Sequence, residues 1–371
     1  MEDSAGGVPP PSMDHSGQAL RAGRRRARWP WYAGGIVFAV VVVVTAGWFI
    51  RLPYYTIAPG SSLNVNERIE VTGARSYPPE GEVRLLFVRQ RARVNVWRWL
   101  VASFDHDIDL FKEREFTGGQ PPAQVRDEAR ADMAVAQFAA RAVALHAVGY
   151  DLAEEGEGVR VLYVFDGLPA AGVLEEDDLI VAVDGEAVRT TAELGAAIGH
   201  HAPGETVRVT YVRDGERMRS ELTTTAAFDD GRPVIGVQAV PPYDFPVEIG
   251  IDTDRIGGPS AGLAMTLAII DELTPGELTG GRVVAVTGTI DLDGNVGPIG
   301  GSLRRPARRA ADAEIFLVPA CHEGAYYAEC EADLDQARTR AGGMDVEEVA
   351  SIDDALQALE AAGGAPLTQV G

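Results

Sequence analysis

Hydrophobic and polar positions along this chain of 371 residues fall into three regimes. From Trp31 to Ile50 no residue is charged, and at about 1.5 Å per residue that helix reaches about 30 Å, the thickness of a bilayer's hydrocarbon. Trp29, Trp31 and Tyr32 flank one end and Trp48 the other, as interfacial aromatic belts do. The pattern predicts a single-pass transmembrane helix in the cell membrane. Arg21, Arg24, Arg25, Arg26 and Arg28 precede it, which places residue 1 in the cytoplasm and everything after Arg51 outside.

From Ala123 to Val148 the pattern turns helical: Met133, Val135, Phe138, Ala139, Val143 and Leu145 suggest an amphipathic helix. This helix is expected to bridge a membrane-proximal part, with a β-rich run at Val83–Val88 and a tryptophan segment at Val94–Leu100, to the next domain. From Gly158 the period shortens to that of strands. Val159–Val164, Leu179–Gly185 and Thr206–Val212 read as strands, with a helix over Thr191–Ile198 capped by Thr190 or Thr191. Beyond Pro233 come strands at Pro233–Val237 and Phe245–Ile251, and a buried strand at Val283–Gly288 with a turn at Asp293-Gly294-Asn295. A helix over Arg304–Ala313, a buried strand at Ile315–Pro319 and a last helix capped by Ser351 and Asp354 complete the series. Strands alternating with helices predict an α/β domain here.

Composition adds three constraints. The net charge is −22 although residues 1–30 are basic on balance, and so acidic a body repels nucleic acid. Lys112 is the only lysine, and no glycines of a Walker A motif precede it, so the chain cannot hydrolyse ATP through a P-loop. Cys321 and Cys330, with His322 the nearest imidazole, lack the ligands for a metal site, whereas an oxidising compartment would suit a local disulfide.

The candidate chemistry lies in Arg255-Ile256-Gly257-Gly258-Pro259-Ser260-Ala261-Gly262, ahead of the helix formers Leu263 to Ile270. Ser260 would occupy the first turn of that helix. There the unpaired amides and the positive end of the dipole stabilise a developing oxyanion, with Gly258, Pro259 and Ala261 forming the loop. The same residues suit an ordinary N-cap. Gly258-Pro259-Ser260-Ala261-Gly262 also fits the nucleophile elbow of an α/β-hydrolase, with Asp312 and His322 in the expected order. The short strands and turns before it do not supply that fold's parallel sheet.

Three further motifs are Leu273 to Gly281, Val286-Thr287-Gly288-Thr289-Ile290, and Gly297-Pro298-Ile299-Gly300-Gly301-Ser302-Leu303-Arg304-Arg305. Together with the serine stretch they closely resemble the proteolytic domain of Lon-type serine peptidases, over residues 230–361. The nearest resemblance is to the membrane-anchored bacterial branch that joins a PDZ domain to a Lon-type domain without an ATPase. Gly167-Leu168-Pro169-Ala170-Ala171-Gly172-Val173-Leu174 before Asp178-Leu179-Ile180 resembles the bacterial PDZ domain, with Leu168 and Asp177 in place of the usual serine and glycine. A PDZ domain adds an extended peptide to a sheet edge, and the ligand loop is expected near Glu155–Val159. The adjacent His200 and His201 read as exposed turn residues.

The resemblance implies that Ser260 is the nucleophile and that its base is a lysine four residues after Gly301. That position holds Arg305, which stays protonated and cannot take the serine's proton. His322 is the best rescue base.

The expected fold is α/β and α+β, multidomain. It comprises a cytoplasmic tail (1–30), a transmembrane helix (31–50), a membrane-proximal region (51–150), a PDZ domain (151–228) and a Lon-type proteolytic domain (229–371). The expected function is that of an extracytoplasmic, ATP-independent Lon-type serine endopeptidase or a catalytically impaired member. The alternative is a pseudoprotease serving as a peptide-binding or assembly module. Partners are peptides or unfolded segments, the membrane and, since Lon-type domains assemble in rings, further copies of the chain. Neither a cofactor nor a metal is expected.

Overall fold

The computed structural model describes residues 29–105, 108–153, 157–253, 257–299, 313–321, 327–340 and 343–371. The chain forms two compact units, Met1–Ile50 and Arg51–Gly371. In the first, helix α1 (Trp29–Phe49) is apolar all round, with large side chains such as Ile36, Phe38 and Val43 exposed. An all-apolar surface of this kind suits lipid rather than water, and α1 fits a single-pass membrane anchor.

Three hydrophobic cores lie in the second unit. Among the described residues it has two sheets of six strands, one in the order Asp345–Val349, Ile315–Pro319, Val283–Val286, Glu82–Arg91, Tyr54–Asn64, Asp109–Lys112. The first four run parallel, and the last two join antiparallel. Residues of 51–117 and of 283–349 therefore share one sheet. Strand Ile69–Thr72 likewise pairs with Glu248–Ile251. Short helix α2 (Val96–Phe104) connects Glu82–Arg91 to Asp109–Lys112, and short helix α3 (Glu113–Thr117) follows that last strand.

Side chains alternate across this sheet with the period of a strand. Val284, Val286, Ile315 and Leu317 face one core, whereas Ala285, Phe316 and Val318 face another, where Leu334 and Ala337 of helix Tyr327–Arg340 cover them. The first face is covered by α4 (Pro122–Ala147) and by α6 (Gly262–Leu273). Helix α4 starts where expected, with proline in its first turn. Its alanines at 136, 139, 140 and 144 let it lie close against α6, so it is a layer of the core and more than a bridge.

The second sheet, ordered Val237–Val240, Val159–Val164, Leu179–Val183, Thr206–Arg213, Glu216–Thr223, encloses its own core together with α5 (Thr191–Gly199). The sequence boundary at 228 thus falls short of this sheet's last strand. The Thr190 side chain caps α5, as expected, by accepting from the Glu193 amide. Asp178 is 1% exposed and accepts two bonds from Arg213, each 2.7 Å. Asp177, which replaces the usual glycine, keeps that residue's left-handed backbone at φ +70°. His201 is not the exposed residue expected: its Nε2 lies 2.9 Å from Asp184 and ties the end of α5 to the neighbouring turn.

Cys321 and Cys330 are joined in a disulfide, Cα to Cα 5.8 Å. Cys321 also lies near Glu331 and Glu348, but a disulfide sulfur offers no thiolate to a cation. The helix expected over Arg304–Ala313 lies outside the described residues.

Asp271 of α6 is wholly buried and accepts from the Leu278 amide (2.9 Å) and the Asn66 side chain (3.5 Å), so it holds the loop after α6 in place. Its carboxyl is pushed up to about 7, chiefly by burial. The Leu278 amide opposes the shift, Glu277 and Glu272 add to it, and Asn66 opposes it again. Between an unfolded value of about 4 and about 7, the native chain keeps a proton that the unfolded chain has released. Stability therefore falls as pH rises through that window. We expect Asp271→Asn, which keeps the acceptor for Leu278 and cannot ionise, to melt above wild type at about pH 8. The two melting curves should converge below about pH 4.

Candidate functional site

Ser260 stands in a single 3-10 turn, Pro259–Ala261, directly ahead of α6. Gly258 precedes the turn at φ +101°, a backbone conformation that side chains disfavour. Its amide donates to the Ala129 carbonyl of α4 at 2.8 Å. The Ser260 carbonyl accepts from the Gly288 amide at 2.9 Å, and the Gly288 carbonyl accepts from Leu263 at 3.1 Å. This two-way clamp joins the serine motif to the Val286–Ile290 motif. It also explains Gly262: a Cβ there would lie 2.8 Å from the Ile290 backbone nitrogen.

Ser260 is half-buried, and the N-cap position of α6 is Ala261, with no side-chain cap. The capping role that competes with catalysis in the sequence is thus one the serine does not perform. The turn brings Gly258, Pro259, Ser260 and Ala261 together at the helix end, as the motif implies. Arg305, Asp312 and His322 lie outside the described residues, as do Arg255 and Ile256.

The nucleophile-elbow reading is overturned. Strand Glu248–Ile251 pairs antiparallel with Ile69–Thr72 in a sheet of two, and residues 252–259 separate it from the serine. An elbow needs a sharp turn straight off a strand of the main sheet.

A second site lies between the second sheet and α4. A cleft of about 1040 Å³ is bounded by edge strand Val237–Val240, by α5 with Leu194, Gly195 and Ile198, and by the N-terminal half of α4 with Gln124 and Glu128. Of the ligand loop expected near Glu155–Val159, Glu155 and Gly156 lie outside the described residues, and Glu157, Gly158 and Val159 do not line the cleft. Strand Val159–Val164 is paired on both sides, with Leu179–Val183 and with Val237–Val240, and so has no free edge to offer. Of the sheet's two edge strands the one at the cleft is Val237–Val240, and a peptide strand can add there. Gly236 opens that strand at φ +86°, where a Cβ would clash with the Leu168 Cβ, so only glycine fits. The sequence signal is Val234-Ile235-Gly236-Val237, a glycine between branched apolar residues.

These two sheets answer to two families. The sequence profile of the PDZ domain matches residues 146–224, and that of the Lon protease (S16) C-terminal proteolytic domain matches residues 253–358. The chain joins a PDZ domain to a Lon-type proteolytic domain. Among solved structures, the PDZ domain of the SdrC-like protein from Listeria monocytogenes is 34% identical. That match covers 23% of this chain and 90% of that one, at a TM-score of 0.22. The PDZ domain of the SdrC-like protein from Listeria innocua is 32% identical over 22% of this chain and 93% of that one, at 0.22. A solution structure from Geobacillus thermodenitrificans is 32% identical over 22% and 95%, at 0.21. No curated protein matches. PDZ domains bind peptide segments and proteolytic domains act on protein substrates.

Asp127 fastens the PDZ domain to α4. It is buried, and it accepts from the Tyr163 hydroxyl at 2.6 Å and the Asp166 amide at 3.0 Å. Burial and the Asp127 bond push the Tyr163 phenol up to about 12. The peptide cleft and the serine turn therefore share α4: Glu128 faces the cleft, and Ala129 holds Gly258.

Gly262→Ala should force Ile290 and the serine turn apart. We expect a loss of about 1–3 kcal/mol in urea denaturation, the usual result of overpacking a core. Gly195→Ala, which meets nothing within 4 Å, should cost no stability in the same assay.

Proposed function

We propose that this chain is a membrane-anchored, ATP-independent Lon-type serine endopeptidase of impaired turnover, in which the PDZ cleft captures extended peptide segments and Ser260 is the nucleophile. The observation that carries the reading is the serine turn itself. Ser260 is clamped through its carbonyl, while its side chain neither caps α6 nor hydrogen-bonds any described residue. A hydroxyl positioned by the backbone and left unbonded by the described residues is what a nucleophile requires. Amides at the start of α6 would serve the oxyanion.

Impairment follows from chemistry. A guanidinium remains charged at any accessible pH and cannot accept the serine's proton, so Arg305 can steady an anion without activating the hydroxyl. The second reading, a pseudoprotease that binds peptides or takes part in assembly, is favoured by the cleft, which is complete without Arg305. Rings of copies are part of both readings through the Lon-type resemblance. The body after Arg51 lies outside the cytoplasm. The arginines ahead of α1 and the Cys321–Cys330 disulfide both favour that side.

Labelling by a serine-directed fluorophosphonate probe tests the serine. We expect slow labelling of wild type, none of Ser260→Ala, and a rise of at least tenfold in Arg305→Lys, tracked by cleavage of an unfolded substrate. Fast wild-type turnover that vanishes in Ser260→Ala would refute impairment and require another base. For the cleft, Gly195→Tyr fills open space on α5 without strain. It should weaken binding of a fluorescent peptide library by more than tenfold while leaving the melting temperature unchanged.

A further inference from the structure

The unit Arg51–Gly371 carries one surface whose composition departs from the rest of this acidic chain. Helix α2 is amphipathic, and its two faces are used differently. Ala102 is buried, and the Trp99 ring lies 6.2 Å from that of Tyr54, so one face is packed on the body. The other face is the stripe Trp97, Leu100, Val101, Phe104, spaced three, four and seven residues apart as one side of a helix. Leu100 is 40% exposed, Val101 58% and Phe104 77%.

Basic side chains stand beside this apolar stripe. Arg98 lies on α2, and Arg89 and Arg91 lie at the end of strand Glu82–Arg91. Among the described residues no carboxylate comes within ion-pair distance of any of the three. They also lie close to one another: partial burial first, then the charges of Arg98 and Arg89, hold the Arg91 guanidinium below its ordinary value. Of the acids in this region Glu113 pairs with Arg93 and Glu115 with Lys112, and Asp105 and Asp109 have interactions of their own. In a chain of net charge −22, three arginines without carboxylate partners beside an exposed apolar stripe call for an anionic, partly apolar neighbour.

Chain connectivity says which neighbour. Arg51, the first residue of this unit, pairs with Asn95, whose side chain caps α2, and the Leu52 amide donates to the Val94 carbonyl at 2.9 Å. Helix α2 thus begins beside the residue at which the chain leaves the apolar helix α1, which ends at Phe49. A surface within a residue or two of a membrane span is at the level of the headgroups.

We propose that α2 is a second, interfacial membrane contact: Leu100, Val101 and Phe104 enter the headgroup region of the bilayer, and Arg89, Arg91 and Arg98 select anionic lipid. This rests on the reading of α1 as a membrane anchor, whose last residue is two positions before Arg51. Such amphipathic segments lie in the interface with the apolar face shallowly inserted and the basic residues on lipid phosphates.

The fragment 51–371, which retains all three cores, tests the contact without α1. Of the five tryptophans in the chain it keeps only Trp97 and Trp99, both on α2, so the native fluorescence reports this helix alone. The fragment is mixed with vesicles of brominated phosphatidylcholine, with or without phosphatidylglycerol. We expect quenching and co-sedimentation with the anionic vesicles, both weakened by added salt. Arg91→Gln should weaken binding about fivefold, the equivalent of about 1 kcal/mol for one basic residue near an anionic surface. Phe104→Ser, at an exposed position that leaves the fold intact, should abolish the quenching.

Quenching that is equal on both vesicle types, or that persists in Phe104→Ser, would overturn the proposal. So would a folded fragment that ignores both vesicles, or one that self-associates through this face, seen as a dimer in sedimentation velocity that Phe104→Ser dissolves. The anchor is read separately, by alkaline carbonate extraction of the full chain. Release of the full chain would defeat the anchor reading and leave the fragment's result standing.

Discussion

The structure depends on how closely α4 and α6 approach one another. Alanines at 136, 139, 140 and 144 of α4 leave no bulk between the helix backbones, and Ala129 brings a carbonyl within 2.8 Å of Gly258. A larger side chain at 257 would already crowd Ala129, whose Cβ stands 3.2 Å from where a Gly257 Cβ would be. Close packing of this kind has no slack. The serine turn is fixed by a helix that comes before the PDZ domain in sequence, and by Gly288, which comes after it.

The same helix is the floor of the peptide cleft. One turn of α4 carries Asp127, bonded to Tyr163 and Asp166, then Glu128 in the cleft wall, then Ala129 at the serine turn. Buried polar contacts such as that of Asp127 add little net stability, but they are costly to break singly, so they determine where a domain sits. The wall of the cleft and the candidate nucleophile are thereby held on one rigid element.

Much of this can be read in the sequence, and the exceptions have physical causes. The PDZ strands alternate apolar and polar residues between glycine turns, and the caps at Thr190 and Ser351 arise from local hydrogen bonding, so both are legible. Strand Tyr54–Asn64 is not. It contains Pro59 and Gly60, which break a strand pattern, yet a bulge between Pro59 and Ser62 accommodates them. Gly60 is required because a Cβ there would press on the Phe87 carbonyl. By sequence the cleft strand Val237–Val240 goes with the Lon-type domain, because its partner, Val159–Val164, is remote and no local signal announces that pairing. Ser260 is legible as a residue of interest, but sequence does not separate a nucleophile from a cap. The Ala261 position at the helix start removes the cap from that choice.

The arrangement of the large sheet also bears on how the chain is made. Strand Glu82–Arg91 lies between Tyr54–Asn64, an early neighbour, and Val283–Val286, which leaves the ribosome only after the whole PDZ domain has been synthesised. Until then one edge of a strand rich in valine and leucine has no partner, while the inserted domain, with its own core, can fold at once. Glu82 and Arg84, the charged residues of the stretch that waits for Val283–Val286, discourage neighbouring nascent chains from pairing with it.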